Sequence, residues 1–208
     1  LPTAYHAIEQ AGIKLGDTVV VQGSGPVGLN SAILAQLAGA VKVIVIGGPA
    51  HRLELAQQFG VDAVINIETT TVEERVAAIN AMTAGRGADV VIEATGFPAA
   101  VKEGMALARD AGTYVVVGQY TNNGDISMNP HLDINKKHLT IKGTWGIDLS
   151  HFYRSVQIMA KHHNRFAWEN FISGHYGLHE VNQAIADVEH HRVMKAVIDP
   201  YKKYTGRA

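Results

Sequence analysis

Along the first two-thirds of the chain, short β-branched runs alternate with segments whose apolar positions recur every three to four residues. DTVVVQG (17–23) is a continuous apolar run ending in Gly, which suits a strand buried on both faces. PVGLNSAILAQLA (26–38) then carries Val27, Leu29, Ile33, Leu34 and Leu37 at helical spacing. The same reading predicts strands at 41–47, 61–67, 88–96, 113–120 and 138–145, and helices at 51–60, 71–85 and 98–112. Thr71 with Glu74 three positions later has the spacing of a capping box. Residues 121–137 are polar and turn-rich and predict a loop.

This alternation demands right-handed crossovers and a parallel sheet covered on both faces. The expected fold is α/β: a doubly wound, six-stranded parallel sheet of the Rossmann type, in the order 3-2-1-4-5-6. The composition shifts after Trp145. Two helices (150–163, 179–192) and two short strands (171–178, 193–200) make too thin a core to stand alone. The expected division is therefore 1–145 and a small α/β appendage at 146–208.

Bulk composition narrows the function classes. The 208 residues are 47% hydrophobic and 18% charged, with 18 Lys and Arg against 19 Asp and Glu. A net charge of −1 offers no field for nucleic acid or an anionic membrane. No apolar run approaches the roughly 18 residues of a membrane span. Cysteine is absent, so neither a disulfide nor a thiolate metal site can form within the chain. The expected compartment is the cytoplasm. The sequence opens on LPTAYH rather than Met, which suggests a longer parent protein.

Chemistry concentrates in GSGPVG, Gly23 to Gly28, a G-x-G-x-x-G pattern. Alone it is weak, and a tight turn with no ligand is the alternative. Its position directly after the first buried strand and at the start of a helix favours a dinucleotide site. Gly23 allows the turn, Gly25 lets a diphosphate approach, and Gly28 lets the helix pack closely on the sheet. Pro26 sits where a missing N–H is harmless, and with Val27 it opens the helix whose free amides and positive end hold the diphosphate. The pairs His162–His163 and His190–His191 read as helix-terminal surface residues, and His175 with His179 as solvated. No Gly-x-Ser-x-Gly elbow or Walker lysine occurs.

TAYHAI, GSGPVG, RLELA, RGADVVIEATG, YVVVGQY, IKGTW and KAVIDP stand in this order. The series resembles the cofactor domain and C-terminal segment of medium-chain zinc-type alcohol dehydrogenases, without their N-terminal GroES-like domain. The resemblance implies hydride transfer between an alcohol or carbonyl compound and NAD or NADP. It implies a zinc Lewis acid in the intact enzyme, with ligands outside this chain, and no catalytic residue within it. Thr3 matches a threonine lining the nicotinamide pocket, and Gly23, Gly25 and Gly28 match the diphosphate turn. Arg52 matches a basic residue at the adenosine ribose, and Ala94, Thr95 and Gly96 match the segment over the nicotinamide ribose. Val117, Gly118 and Gln119, with Thr144 and Trp145, match backbone that frames the nicotinamide, and Lys195 matches a basic residue at the diphosphate. Similar enzymes pair through the last strand of the sheet, so a homodimer is expected.

One departure bears on the cofactor. Gly47 stands nineteen positions after Gly28, where the family carries an Asp that accepts the ribose hydroxyls and repels a 2′-phosphate. Its loss predicts acceptance of NADP, with the Gly47 and Gly48 amides, His51 and Arg52 near the phosphate. The alternative is that Gly47 merely loosens an NAD site. Two other functions remain open: a zinc-free quinone-reductase-type enzyme and a non-catalytic dinucleotide-binding module.

Overall fold

A computed structural model describes residues 1–202, and the last six positions of the segment expected at 146–208 lie outside the described residues. The described residues form two compact units, 1–161 and from 162 onward.

The first unit opens with α1 (Pro2–Ala11), a helix that the sequence pattern had not singled out. Six strands follow: β1 (Thr18–Gln22), β2 (Lys42–Gly47), β3 (Ala63–Asn66), β4 (Ala88–Glu93), β5 (Ala108–Val116) and β6 (Thr140–Gly143). Every pairing is parallel, in the order β3-β2-β1-β4-β5-β6. Val19 to Val21, Val43 to Ile46 and Val90 to Ile92 are all buried, as continuous apolar runs require under two helical layers. The crossovers are α2 (Pro26–Leu37), α3 (Ala50–Gln58), α4 (Val72–Met82) and α5 (Pro98–Leu107). Residues Gly28 to Ala35 of α2 are buried without a break, because α2 packs against both the sheet and α1. Thr71 caps α4: its hydroxyl accepts from the Glu74 N–H at 3.2 Å, and Glu74 Oε2 accepts from the Thr71 N–H at 2.8 Å.

The sequence expectations for 98–112 and 121–137 need correction. The helix expected at 98–112 ends at Leu107, and β5 begins at Ala108. The Lys137 ammonium takes the closing carbonyls of α5, donating to Met105 O at 2.6 Å and Ala106 O at 3.3 Å. Arg109 Nε then donates to Asp89 Oδ1 at 2.6 Å and draws the chain alongside β4. Burial raises the Asp89 pKa, but the Thr18 N–H and the Arg109 guanidinium outweigh it and hold that carboxyl below its ordinary range. The loop expected at 121–137 contains a π turn, Pro130–Asn135, whose first N–H groups are received by Asn129 Oδ1.

After β6 comes α6 (Leu149–His162). His151 is buried and lies 3.0 Å from Glu9 of α1, tying the amphipathic helix expected at 150–163 largely to the first unit. The second unit is a parallel pair, β7 (Gly174–Gly177) and β8 (Ala196–Asp199), joined through α7 (Val181–Glu189). Its core is small: Phe166, Trp168, Phe171, Ala184, Val193 and Met194.

Candidate cofactor site

The carboxyl ends of β1, β2, β4 and β5 carry most of the residues that the sequence pattern picked out. β1 leads into the Gly23–Gly28 turn, where the Gly23 N–H donates to Ile46 O of β2 at 2.7 Å. Gly23 has φ 111°, and a Cβ there would stand 2.7 Å from Ala94 O. A Cβ on Gly28 would overlap the Gly23 carbonyl. These two glycines therefore serve the close meeting of turn, helix and β4. Gly25 differs: it is the N-cap of α2 in extended conformation, and a Cβ there would touch nothing within 4 Å. The Val27 and Gly28 amides lie in the first turn of α2, beyond reach of any helical carbonyl. The free amides of the α2 start thus lie next to open space at Gly25, and a diphosphate fits both features.

At the end of β2, Gly47 and Gly48 leave no carboxylate. Ser24 Oγ bridges to this end, donating to Gly48 O at 2.8 Å and accepting from the Gly48 N–H at 3.1 Å. A Cβ on Gly47 would lie 2.5 Å from Ser24 Oγ and 2.7 Å from Ser24 Cβ. Ser24 therefore fills the volume that a side chain at 47 would need. His51 is exposed on α3, whereas Arg52 is buried, and desolvation pushes its guanidinium below its usual pKa. Glu68 also borders this end: its Cγ lies 3.4 Å from a Cβ built on Gly48.

The ends of β4 and β5 meet through Glu93, which has no solvent exposure. Glu93 Oε1 accepts from the Thr95 N–H at 2.7 Å, the Thr95 hydroxyl at 2.6 Å and the Gly96 N–H at 2.9 Å. Glu93 Oε2 accepts from the Gly118 N–H at 3.1 Å. Capture of these N–H groups ends β4 at Glu93, three residues before the expected limit at Gly96. The Ala94 N–H donates to Gln22 O and the Val117 N–H to Glu93 O, so each segment is anchored to its neighbour. Beyond them opens a cavity of about 700 Å³, with Val101, Gln119, Tyr120, Asn123 and Trp145 among its walls. Gln119 Nε2 is buried and has no hydrogen-bond partner among the described residues. The Thr144 N–H donates to Val116 O at 3.0 Å, while the Trp145 ring is 76% exposed.

Thr3 lies half-buried in the first turn of α1. Lys195 belongs to the second unit and is exposed there. Ser24, Glu68 and Glu93 escaped the sequence reading. Glu93 carried a signal, an acid within the apolar run ADVVIEATG, whereas nothing local marked the other two.

A parallel sheet ordered 3-2-1-4-5-6, with a glycine turn between its first strand and first crossover helix, defines a domain of the Rossmann class. The chain belongs to the zinc-binding dehydrogenase family, whose model matches residues 26–161. It is 33% identical over 200 residues to 5-exo-hydroxycamphor dehydrogenase of Pseudomonas putida, covering 96% of this chain and 55% of the relative. An alcohol dehydrogenase structure from Thermotoga maritima superposes with a TM-score of 0.88 at 37% identity, over 95% of this chain and 54% of that one. A Sinorhizobium meliloti structure described as a zinc-binding dehydrogenase bound to NADP gives 0.84 at 30% identity, over 96% and 57%. The chain spans about half the length of these relatives.

Proposed function

We propose that this chain is the cofactor-binding part of a zinc-type alcohol dehydrogenase that interconverts a small alcohol and its aldehyde or ketone. The observation that carries the reading is the open space at Gly25, the N-cap of α2, beside the first amides of that helix. In this reading the Gly23–Gly28 turn holds the diphosphate. The backbone of Ala94, Thr95 and Gly96 lies against the nicotinamide ribose. Val117, Gly118, Gln119, Thr144 and Trp145 frame the ring, and the unpartnered Gln119 amide is suited to a carboxamide oxygen. When bound, the nicotinamide supplies the hydride donor or acceptor. The chain's own residues fix which face of the ring meets the substrate.

Among the described residues, no group of three His, Cys, Asp or Glu side chains could hold a metal ion. We assign the family's zinc to the part of the relatives that this chain does not span, and derive no step through it. Residues 146–208 are assigned to completing the catalytic domain there.

The cofactor in this reading is NADP, alone or beside NAD. Gly47 removes the carboxylate that would repel a 2′-phosphate, and the NADP-bound relative supports the choice. Titration calorimetry of the chain with each oxidised nucleotide at moderate salt tests it. Saturable heat with NADP+ is expected. No heat from either nucleotide would refute the function, and NAD+ bound at least tenfold tighter than NADP+ would refute the cofactor preference.

A further inference from the structure

Burying a carboxylate costs several kcal/mol unless hydrogen bonds replace its water. Glu93 meets that condition with four donors, and all four come from the two segments that leave β4 and β5: Thr95 twice, Gly96 and Gly118. These are the segments that the cofactor reading places around the nicotinamide half. The packing between them leaves little slack. A Cβ on Gly118 would stand 2.5 Å from the Gly96 nitrogen and 2.6 Å from Glu93 Oε1. The Glu93 main-chain carbonyl also accepts from the Val117 and Gly118 N–H groups, each at 3.0 Å. Backbone and side chain of one residue therefore set the separation of the two segments.

We propose that Glu93 is a positioning residue for the nicotinamide half of the cofactor, an inference that rests on the cofactor reading above. It touches neither substrate nor cofactor. It acts by holding the 94–96 and 117–119 backbones at the spacing that the nicotinamide and its ribose require. Only a carboxylate serves, because both oxygens must accept. The amide of a glutamine would present N–H groups to the Gly118 N–H or to the Thr95 and Gly96 pair, a donor facing a donor.

The test is titration of wild type and Glu93→Gln with two matched pairs, NAD+ against ADP-ribose and NADP+ against 2′-phospho-ADP-ribose. The second member of each pair lacks nicotinamide. In Glu93→Gln, the Kd of the complete nucleotide is expected to rise at least tenfold, with the fragment's Kd unchanged within twofold. Equal weakening of nucleotide and fragment, or no change in either, overturns the proposal and marks Glu93 as scaffold. Glu93→Asp keeps the charge but draws the carboxylate back from Gly118, and it should show the same selective loss to a smaller degree. Should Glu93→Gln fail to fold, Glu93→Asp decides: a Kd raised at least threefold for the complete nucleotide with the fragment unchanged within twofold supports the proposal, and equal weakening or no change overturns it. Failure of wild type to bind any of the four ligands would overturn the cofactor reading and this proposal with it.

Discussion

Gly47 and Ser24 occupy neighbouring volume, and this changes what a substitution at the end of β2 can do. An aspartate at 47 would restore the family's ribose acceptor in principle. In this chain its Cβ would press on Ser24 Oγ and Ser24 Cβ, at 2.5 and 2.7 Å, and approach the Ser24 nitrogen to 2.9 Å. Overpacking of this kind costs about 1–3 kcal/mol. Gly47→Asp alone should therefore weaken NAD+ and NADP+ together in a titration. Ser24→Gly combined with Gly47→Asp frees the side-chain volume, leaving a small shift of the turn to relieve the last contact. The double variant should bind NAD+ at least tenfold tighter than NADP+. A single Gly47→Asp variant with full NAD+ affinity and a switched preference would contradict the account. The glycine at 47 was legible in the sequence as a missing acid. Its steric partner was not, because residues 24 and 47 meet only once β1 and β2 are paired.

Element by element, the sheet followed from the pattern wherever burial was complete. The apolar runs at Val19–Val21, Val43–Ile46 and Val90–Ile92 admit one reading, and the strand order came from their alternation with helices. Boundaries failed where side chains far apart in sequence decide them: Lys137 ends α5, Arg109 on Asp89 starts β5, and Glu93 stops β4. The helix α1 escaped because its inward face is three alanines, Ala4, Ala7 and Ala11, a weak periodic signal. At the far side of the sheet, β6 pairs only with β5 among the described residues, and Ile141 is 41% exposed. An open edge of this kind needs cover, and we propose that β6 of a second copy supplies it. Light scattering should return twice the chain's mass, and Ile141→Lys should shift the protein toward a single chain. A single-chain mass for the unaltered protein would contradict the pairing.

For the molecule as a whole, sheet order, glycine turn and open cavity converge on the carboxyl ends of the central strands. The account's central claim is that the space in front of Gly25 exists for a diphosphate. A valine at 25 meets no protein atom within 4 Å at its Cβ and takes up an ordinary extended conformation, so the protein should still fold, with the modest loss of stability that a valine N-cap brings. The decisive measurement is the Kd of NADP+ for Gly25→Val beside wild type, with the melting temperatures of both unliganded proteins. The account predicts a modest fall in melting temperature, with the variant folded at the titration temperature, and at least a tenfold loss of affinity, about 1.4 kcal/mol. Unchanged NADP+ binding by a folded Gly25→Val protein would place the diphosphate elsewhere and contradict the account.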